Sequence, residues 1–326
     1  MGALHGAQLI SLFNTMKPFA FVFPGQGSQS IGMLDAWGDH PIIQDTLTEA
    51  SDALGEDMGK LIQQGPKEQL DLTTNTQPAM LTAGIACYRV WLAECGSVPS
   101  IVAGHSLGEY TALVAAEALT LTQAAPLVRL RAQAMQEAVP VGQGAMAAIL
   151  GLDAQAVISG CQKISTSQEM VEAVNFNDPK QTVIAGTRAG VDAACEYLKQ
   201  QGAKRALLLP VSAPFHSRLM QPAAEQLRDA LEKIALQSPK IKVINNIDVN
   251  DPTEPSNIKD ALYRQAFGPV RWTELIMKMR NSGLSYILEC GPGKALSGMV
   301  KRIDSELQTM TLSDPTTLAQ AQELLA

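Results

Sequence analysis

Ser100-Ile-Val-Ala-Gly-His-Ser-Leu-Gly-Glu-Tyr110 decides how the rest of the chain is read. Ile101 to Ala103 is a short apolar run of the kind that forms a buried strand, and an amphipathic run opens at Tyr110. Between them Gly104 and Gly108 stand two residues either side of Ser106, giving Gly-x-Ser-x-Gly. In a strand-to-helix turn this tight, a Cβ at either glycine would collide with neighbouring strands, and the serine is forced into a strained, exposed position. Its hydroxyl then lies at a helix N-terminus, where free N–H groups and the positive end of the helix dipole stabilise an oxyanion. A glycine-rich turn around a buried serine carries the same letters, so a nucleophile here requires a base from elsewhere in the chain.

The 326 residues can bury a sizeable core, either as one large domain or as a large domain with an insertion. Hydrophobic content of 46% with 17% charged residues reads as globular. A net charge of −7 and a pI of 5.2 leave no overall basic field for nucleic acid or anionic lipid. The five cysteines, Cys87, Cys95, Cys161, Cys195 and Cys290, are scattered without metal-ligand spacing, which points to reduced thiols, a cytoplasmic protein and no metal. No apolar run approaches the ~18 residues a membrane span needs. Residues 1–15 contain no Lys or Arg ahead of Met16-Lys17-Pro18 and read as an extension rather than a secretory signal.

Phe19 to Phe23 reads as a strand feeding the loop Pro24-Gly-Gln-Gly-Ser-Gln29. A dinucleotide fingerprint fails there, because Ser30 stands where its third glycine belongs. The loop still occupies the carboxyl end of a strand, where Gln26 can turn its backbone N–H or its amide toward a shared site. Thr76 to Leu92 is expected to be a buried helix, with Cys87 as core filler. In the helical run Gln123 to Ala138, Arg131 lies on the same stripe as Ala124, Leu127, Val128 and Met135. An arginine there cannot shed its charge and calls for an anion, supplied either by an internal Asp or Glu or by the carboxylate of a ligand.

From Gly144 to Val211 the rhythm becomes β-α-β-β-α-β, with strands at Ala145–Leu150, Val171–Asn175, Gln181–Ala185 and Arg205–Pro210. That order is a ferredoxin-like unit inserted into a larger α/β pattern, which resumes with strands near Lys242–Asn245 and Ser285–Glu289. The expected division is an extension at 1–15, a large α/β-hydrolase-like domain with a parallel sheet at 16–142 and 212–326, and a small domain at 143–211. The cleft between the two is a favoured ligand site. His216, in Pro214-Phe-His-Ser217 at the exit of the insertion, is the histidine placed to accept the Ser106 proton. His105, inside the turn, is expected to pack or to bond locally. A hydrolase runs serine, acid, then histidine near the chain end, yet about 110 residues follow His216 here. A Ser–His dyad whose imidazole is oriented by an uncharged group, such as a backbone carbonyl, fits better. Gly291-Pro-Gly-Lys294 lacks phosphate-loop spacing and reads as a turn into a C-terminal helix.

Taken together, the 23–29 loop, Gly104-His-Ser-Leu-Gly-Glu-Tyr110, Arg131, Val174-Asn-Phe-Asn177, Pro214-Phe-His216 and Gly291-Pro-Gly-Lys294 closely resemble the malonyl-CoA:acyl carrier protein transacylases. The resemblance runs in order from residue 17 to the end. It implies Ser106 as nucleophile, His216 as base, and the main-chain carbonyl of Gln265 on the other imidazole nitrogen. It further implies an oxyanion hole from the N–H groups of Gln26 and Leu107, and Arg131 as the clamp on the malonyl carboxylate. Phe215 is implied to favour malonyl over bulkier groups, and Asn175 and Asn177 to line the cleft. The implied substrate is malonyl-CoA, with no cofactor; the implied partner is an acidic, phosphopantetheinylated acyl carrier protein, docking on the basic pairs Lys204, Arg205 and Lys301, Arg302. A monomer is expected. Rival readings are a thioesterase, an acyltransferase for neutral chains and a non-catalytic carrier-binding module.

Overall fold

Phe19–Phe23 (β1) is apolar at every position because both of its faces are covered. Phe19, Phe21 and Phe23 point to one side, where their rings meet Tyr88 and Trp91 edge-on at 5.3 to 6.1 Å. Ala20 and Val22 point to the other and join Trp272, Ile276 and Ile287 in a second core. The computed structural model describes residues 16–211 and 213–326; the expected extension at 1–15, and Ser212 at the expected domain boundary, lie outside the described residues.

β1 pairs in parallel with Ile101–Gly104 (β2) on one side. The remaining strands are Gly144–Leu150 (β3), Val171–Asp178 (β4), Gln181–Thr187 (β5), Arg205–Leu208 (β6), Lys242–Ile244 (β7), Tyr286–Cys290 (β8) and Thr311–Leu312 (β9). The larger sheet runs β7-β2-β1-β8-β9 and is parallel throughout; the short β9 at its edge is not signalled by the sequence pattern. A separate antiparallel sheet runs β4-β5-β3-β6. The mixed α/β architecture with one parallel sheet is therefore as expected.

The long helix Thr73–Cys95 is buried nearly all round and packs against the aromatic face of β1. The helix bearing Arg131 spans Leu121–Glu137 and opens with a capping box between Thr120 and Gln123, two orphan N–H groups satisfied reciprocally. The expected strand at Val171–Asn175 runs on to Asp178, so Asn177 belongs to β4 rather than to the turn that follows. The strand continues because its hairpin pairing with β5 does, with Phe176 opposite Thr182 and Asp178 opposite Gln181. On its other edge the Phe176 N–H donates to Val270 O at 3.0 Å and the Val270 N–H to Val174 O at 2.8 Å. This bridge ties the antiparallel sheet to the segment ahead of helix Trp272–Asn281.

Candidate active site

The turn after β2 is as tight as its glycines imply. A Cβ on Gly104 would stand 1.8 Å from the carbonyl carbon of Gly108, and one on Gly108 would stand 2.1 Å from the carbonyl oxygen of Phe23 at the end of β1. With no side chain on either side, the chain reverses in three residues and holds Ser106 at φ 53°, a left-handed conformation that a serine adopts only under constraint. The helix starts at once, at Gly108 and not at Tyr110, so the turn and the first helical turn share residues. Asn246, just past β7, supplies the constraint: its Oδ1 accepts the Ser106 N–H at 2.7 Å and its Nδ2 donates to Gly104 O at 2.7 Å.

Ser106 Oγ lies 2.7 Å from His216 Nε2. His216 is buried and also strained, at φ 65°, in the loop beyond β6. Its Nδ1 lies 2.9 Å from the carbonyl of Gln265. A carbonyl only accepts, so Nδ1 carries the proton and Nε2 offers its lone pair to the serine hydroxyl. The carbonyl of Gln265, near the end of helix Pro255–Phe267, thus stands where a hydrolase would place an acid. Burial, reinforced by the positive charge of Arg131, pushes the His216 imidazole down to about 3, so it is neutral across the physiological range.

Arg131 is 1% exposed, with its guanidinium 5.4 Å from the centre of the Tyr110 ring. Among the described residues neither an Asp nor a Glu receives it. Nη1 donates to Gln77 Oε1 at 2.8 Å, and Nη2 donates to Gln265 Oε1 at 3.1 Å and to Ser106 Oγ at 3.2 Å. Among the described residues its Nε–H has no acceptor. Amide oxygens solvate a cation but do not cancel its charge, and burial lowers the Arg131 pKa while leaving it protonated. A buried cation, half wrapped by acceptors and with a spare N–H beside a hydroxyl, has the chemistry to receive an anion.

Gln26, Leu107, Asn175 and Phe215 line the same cavity of about 120 Å³ as Ser106, Arg131 and His216, with Met135, Met146, Leu209 and Val211 as apolar walls. The Gln26 side chain turns away to donate to Thr73 Oγ1 at 3.0 Å, so of the two groups expected from it the backbone N–H is the one left for the site. Asn175 presents a buried Oδ1 with no partner among the described residues. Asn177 does not join it. Its Oδ1 lies 2.8 Å from His105 Nε2, and the His105 ring packs on Trp272 at 5.4 Å. His105 therefore bonds across to the antiparallel sheet rather than locally, and β4's continuation carries Asn177 out of the cavity. Of the basic pairs, Lys204 and Arg205 are exposed at edge strand β6, whereas Arg302 is ion-paired with Asp178 at 2.6 Å and Lys301 donates to Leu307 O at 2.6 Å.

Three site residues take no role from the sequence: Gln77, Glu109 and Asn246. Glu109 sits inside the opening stretch, three residues beyond the serine, and Asn246 follows the carboxyl end of a parallel strand, a place that offers side chains to a site. Gln77 gives no signal beyond a polar letter in an apolar helix.

The acyl transferase domain family matches residues 20–310. The chain is 51% identical over 312 residues to the malonyl CoA-acyl carrier protein transacylase of Haemophilus influenzae, covering 95% of this chain and 100% of that one. An acyl-carrier-protein S-malonyltransferase from Burkholderia pseudomallei superposes with a TM-score of 0.92 at 59% identity, over 94% of this chain and 99% of the other. A malonyl-transacylase in complex with a type II PKS acyl-carrier protein superposes with a TM-score of 0.92 at 46% identity, over 94% and 100%. Serine, imidazole and lone guanidinium thus stand in a fold shared over 94% of the chain with proteins of one kind, and the chain belongs to the malonyl-CoA:acyl carrier protein transacylase family of acyl transferase domains.

Proposed function

We propose that the chain transfers a malonyl group from malonyl-CoA to the phosphopantetheine thiol of an acyl carrier protein by way of an ester on Ser106. His216 Nε2 takes the proton as Ser106 Oγ attacks the thioester carbonyl; the C–O bond forms, the C–S bond breaks, and the proton passes to the departing coenzyme A sulfur. The carrier thiol then attacks the ester, gives its proton to His216 and returns Ser106 to its hydroxyl, so the kinetics are ping-pong. The N–H groups of Gln26 and Leu107 stabilise the oxyanion of both tetrahedral intermediates. Arg131 holds the malonyl carboxylate, Phe215 bounds the acyl pocket and Asn175 contacts the acyl or pantetheine chain. Neither metal nor redox chemistry is called for, since a neutral imidazole and an activated hydroxyl complete the proton bookkeeping.

The observation that carries this reading is the buried guanidinium with no carboxylate partner, 3.2 Å from the serine hydroxyl. Names of relatives about half identical over nearly the whole chain support the substrate and the carrier. The strand order β4-β5-β3-β6 with its β-α-β-β-α-β sequence supports a ferredoxin-like unit at 143–211, inserted into a hydrolase-like domain at 16–142 and 212–326. The carrier is proposed to dock at the mouth between them, on Lys204, Arg205, Lys301 and Arg302. A cytoplasmic monomer completes the proposal; among the described residues no helix is long and apolar enough to cross a membrane. Intact-protein mass spectrometry after brief exposure to malonyl-CoA tests it. Wild type is expected to gain one malonyl group and Ser106→Ala none; rapid release of free malonate without an accumulating ester would favour a thioesterase instead.

A further inference from the structure

Behind the three groups that face the cavity lies one buried carboxyl. Glu109 is 2% exposed, and its Oε2 accepts the backbone N–H of Asn246 at 2.8 Å and the Gln265 Nε2 at 3.0 Å. Both partners are the residues that hold the site. Asn246 takes the Ser106 N–H, while Gln265 donates to Ser106 O at 3.0 Å, accepts from Arg131 through Oε1 and from His216 through its carbonyl. An amide nitrogen only donates, so Glu109 and the Ser106 carbonyl together fix which way round the Gln265 amide stands and turn its oxygen toward the guanidinium. With the amide reversed, an NH2 group would face the guanidinium.

Glu109 and Arg131 are thus opposite charges joined through one amide in a dry place. The other ionisable groups around Glu109 are Tyr110 on its own helix, Asp248 from the loop after β7 and, beyond Gln265, His216. Asp248 is already paired with Arg264 at 2.6 Å, and the Tyr110 phenol is held neutral by burial, so Arg131 is the cation available to Glu109. A substrate carboxylate arriving on that guanidinium makes two anions to one cation where little water screens them, and like charges sharing a site do not both stay ionised.

We propose that Glu109 is a positioning residue that takes up one proton from solvent as a carboxylated acyl group settles on Arg131, and releases it when that group leaves. This rests on the malonyl reading above. Burial already pushes the Glu109 carboxyl up to about 7 in the empty site, with Arg131 pulling the other way, so both forms are accessible near neutrality. The arriving carboxylate cancels the pull of Arg131 and moves the group further up. Protonated on Oε1, which accepts no hydrogen bond among the described residues, Glu109 keeps both bonds at Oε2, so the geometry of Gln265 survives the change.

The test is acylation of Ser106 by malonyl-CoA and by acetyl-CoA, followed from mildly acid to mildly alkaline pH in wild type and Glu109→Gln. A glutamine at 109 can offer one oxygen to both incoming N–H groups and carries no titrating proton. In wild type, the malonyl-CoA concentration for half-saturation is expected to climb above about pH 7, toward about tenfold per pH unit, while that for acetyl-CoA does not. Ionisations of coenzyme A itself are common to both substrates and cancel. Glu109→Gln is expected to remove the malonyl slope. Malonyl ester formed with a pH-independent half-saturation in wild type, or the same slope kept in Glu109→Gln, would overturn the inference and leave the malonyl reading standing; absence of the ester altogether would overturn both.

Discussion

Replacing Arg131 with alanine separates recognition of a carboxylate from the acyl chemistry itself. The guanidinium has five N–H groups, of which three are committed to Gln77, Gln265 and Ser106, leaving two for a substrate. Each hydrogen bond between charged partners in a dry cavity is worth ~1.5–3 kcal/mol, so a malonyl carboxylate loses about 3–6 kcal/mol of binding when the two vanish. With tenfold for about 1.4 kcal/mol, malonyl acylation falls by roughly two to four orders of magnitude. An acetyl group has nothing to lose there. It gains, because Arg131 is the second cause, after burial, of the depressed His216 pKa, and its removal lets the base recover strength. The assay is single-turnover acylation by malonyl-CoA and acetyl-CoA, with thermal unfolding as a check on the fold, since the oxygens of Gln77 and Gln265 lose their donor. Equal losses for the two acyl groups in a folded protein would refute the reasoning, as would a malonyl rate close to that of wild type.

His216 lies below its ordinary range, so on acidification it stays an unprotonated base well past the point where a free histidine charges; kcat/KM for malonyl-CoA is expected to hold its plateau from about pH 7 to about pH 5, and half-loss near 6.5 would contradict the burial argument. Gly104→Ala drives a Cβ to 1.8 Å from the Gly108 backbone and is expected to cost more than about 4 kcal/mol, read as loss of soluble protein or a collapse of the melting temperature; a melt within a few degrees of wild type would show the turn to be looser than described. Neutralising Lys204 and Arg205, which make no ion pair among the described residues, is expected to slow transfer to the carrier while sparing acylation from malonyl-CoA, and an unchanged carrier rate removes them from the docking surface. Arg302 is the poorer place to start, because its loss strands the buried Asp178.

Much of the site was legible because its backbone is dictated locally. Two glycines around a serine, after a β-rich run, leave one way for the chain to turn, and Gly104 and Gly108 are packed too closely for any other residue. The pairing of Ser106 with His216 was expected for a related reason, the chain order lacking an acid where a hydrolase keeps one, and in the fold the carbonyl of Gln265 lies 2.9 Å from His216 Nδ1. Asn177 was misplaced because β4 stays paired with β5 as far as Asp178 and the Asn177 amide meets His105, 72 residues away, and nothing in Val174-Asn-Phe-Asn177 encodes that partner. Lys301 and Arg302 looked free for the same reason, their acceptors lying at Leu307 and, far away in the chain, at Asp178.

The amino-acid order alone determined the elbow at Ser106, the β-α-β-β-α-β interlude, the buried placement of Arg131 and the candidacy of His216, since each follows from sterics and periodicity within a few residues. It left open what answers the Arg131 charge, an internal carboxylate or a ligand. Folding decided that by bringing Gln77 and Gln265, from 54 and 134 residues away, to solvate the cation without cancelling it, and by setting Glu109 behind Gln265 instead of against the guanidinium. A buried charge specifies that it must be met and not by whom; the partner is chosen by which segments the packed sheets and helices carry to the same few ångströms.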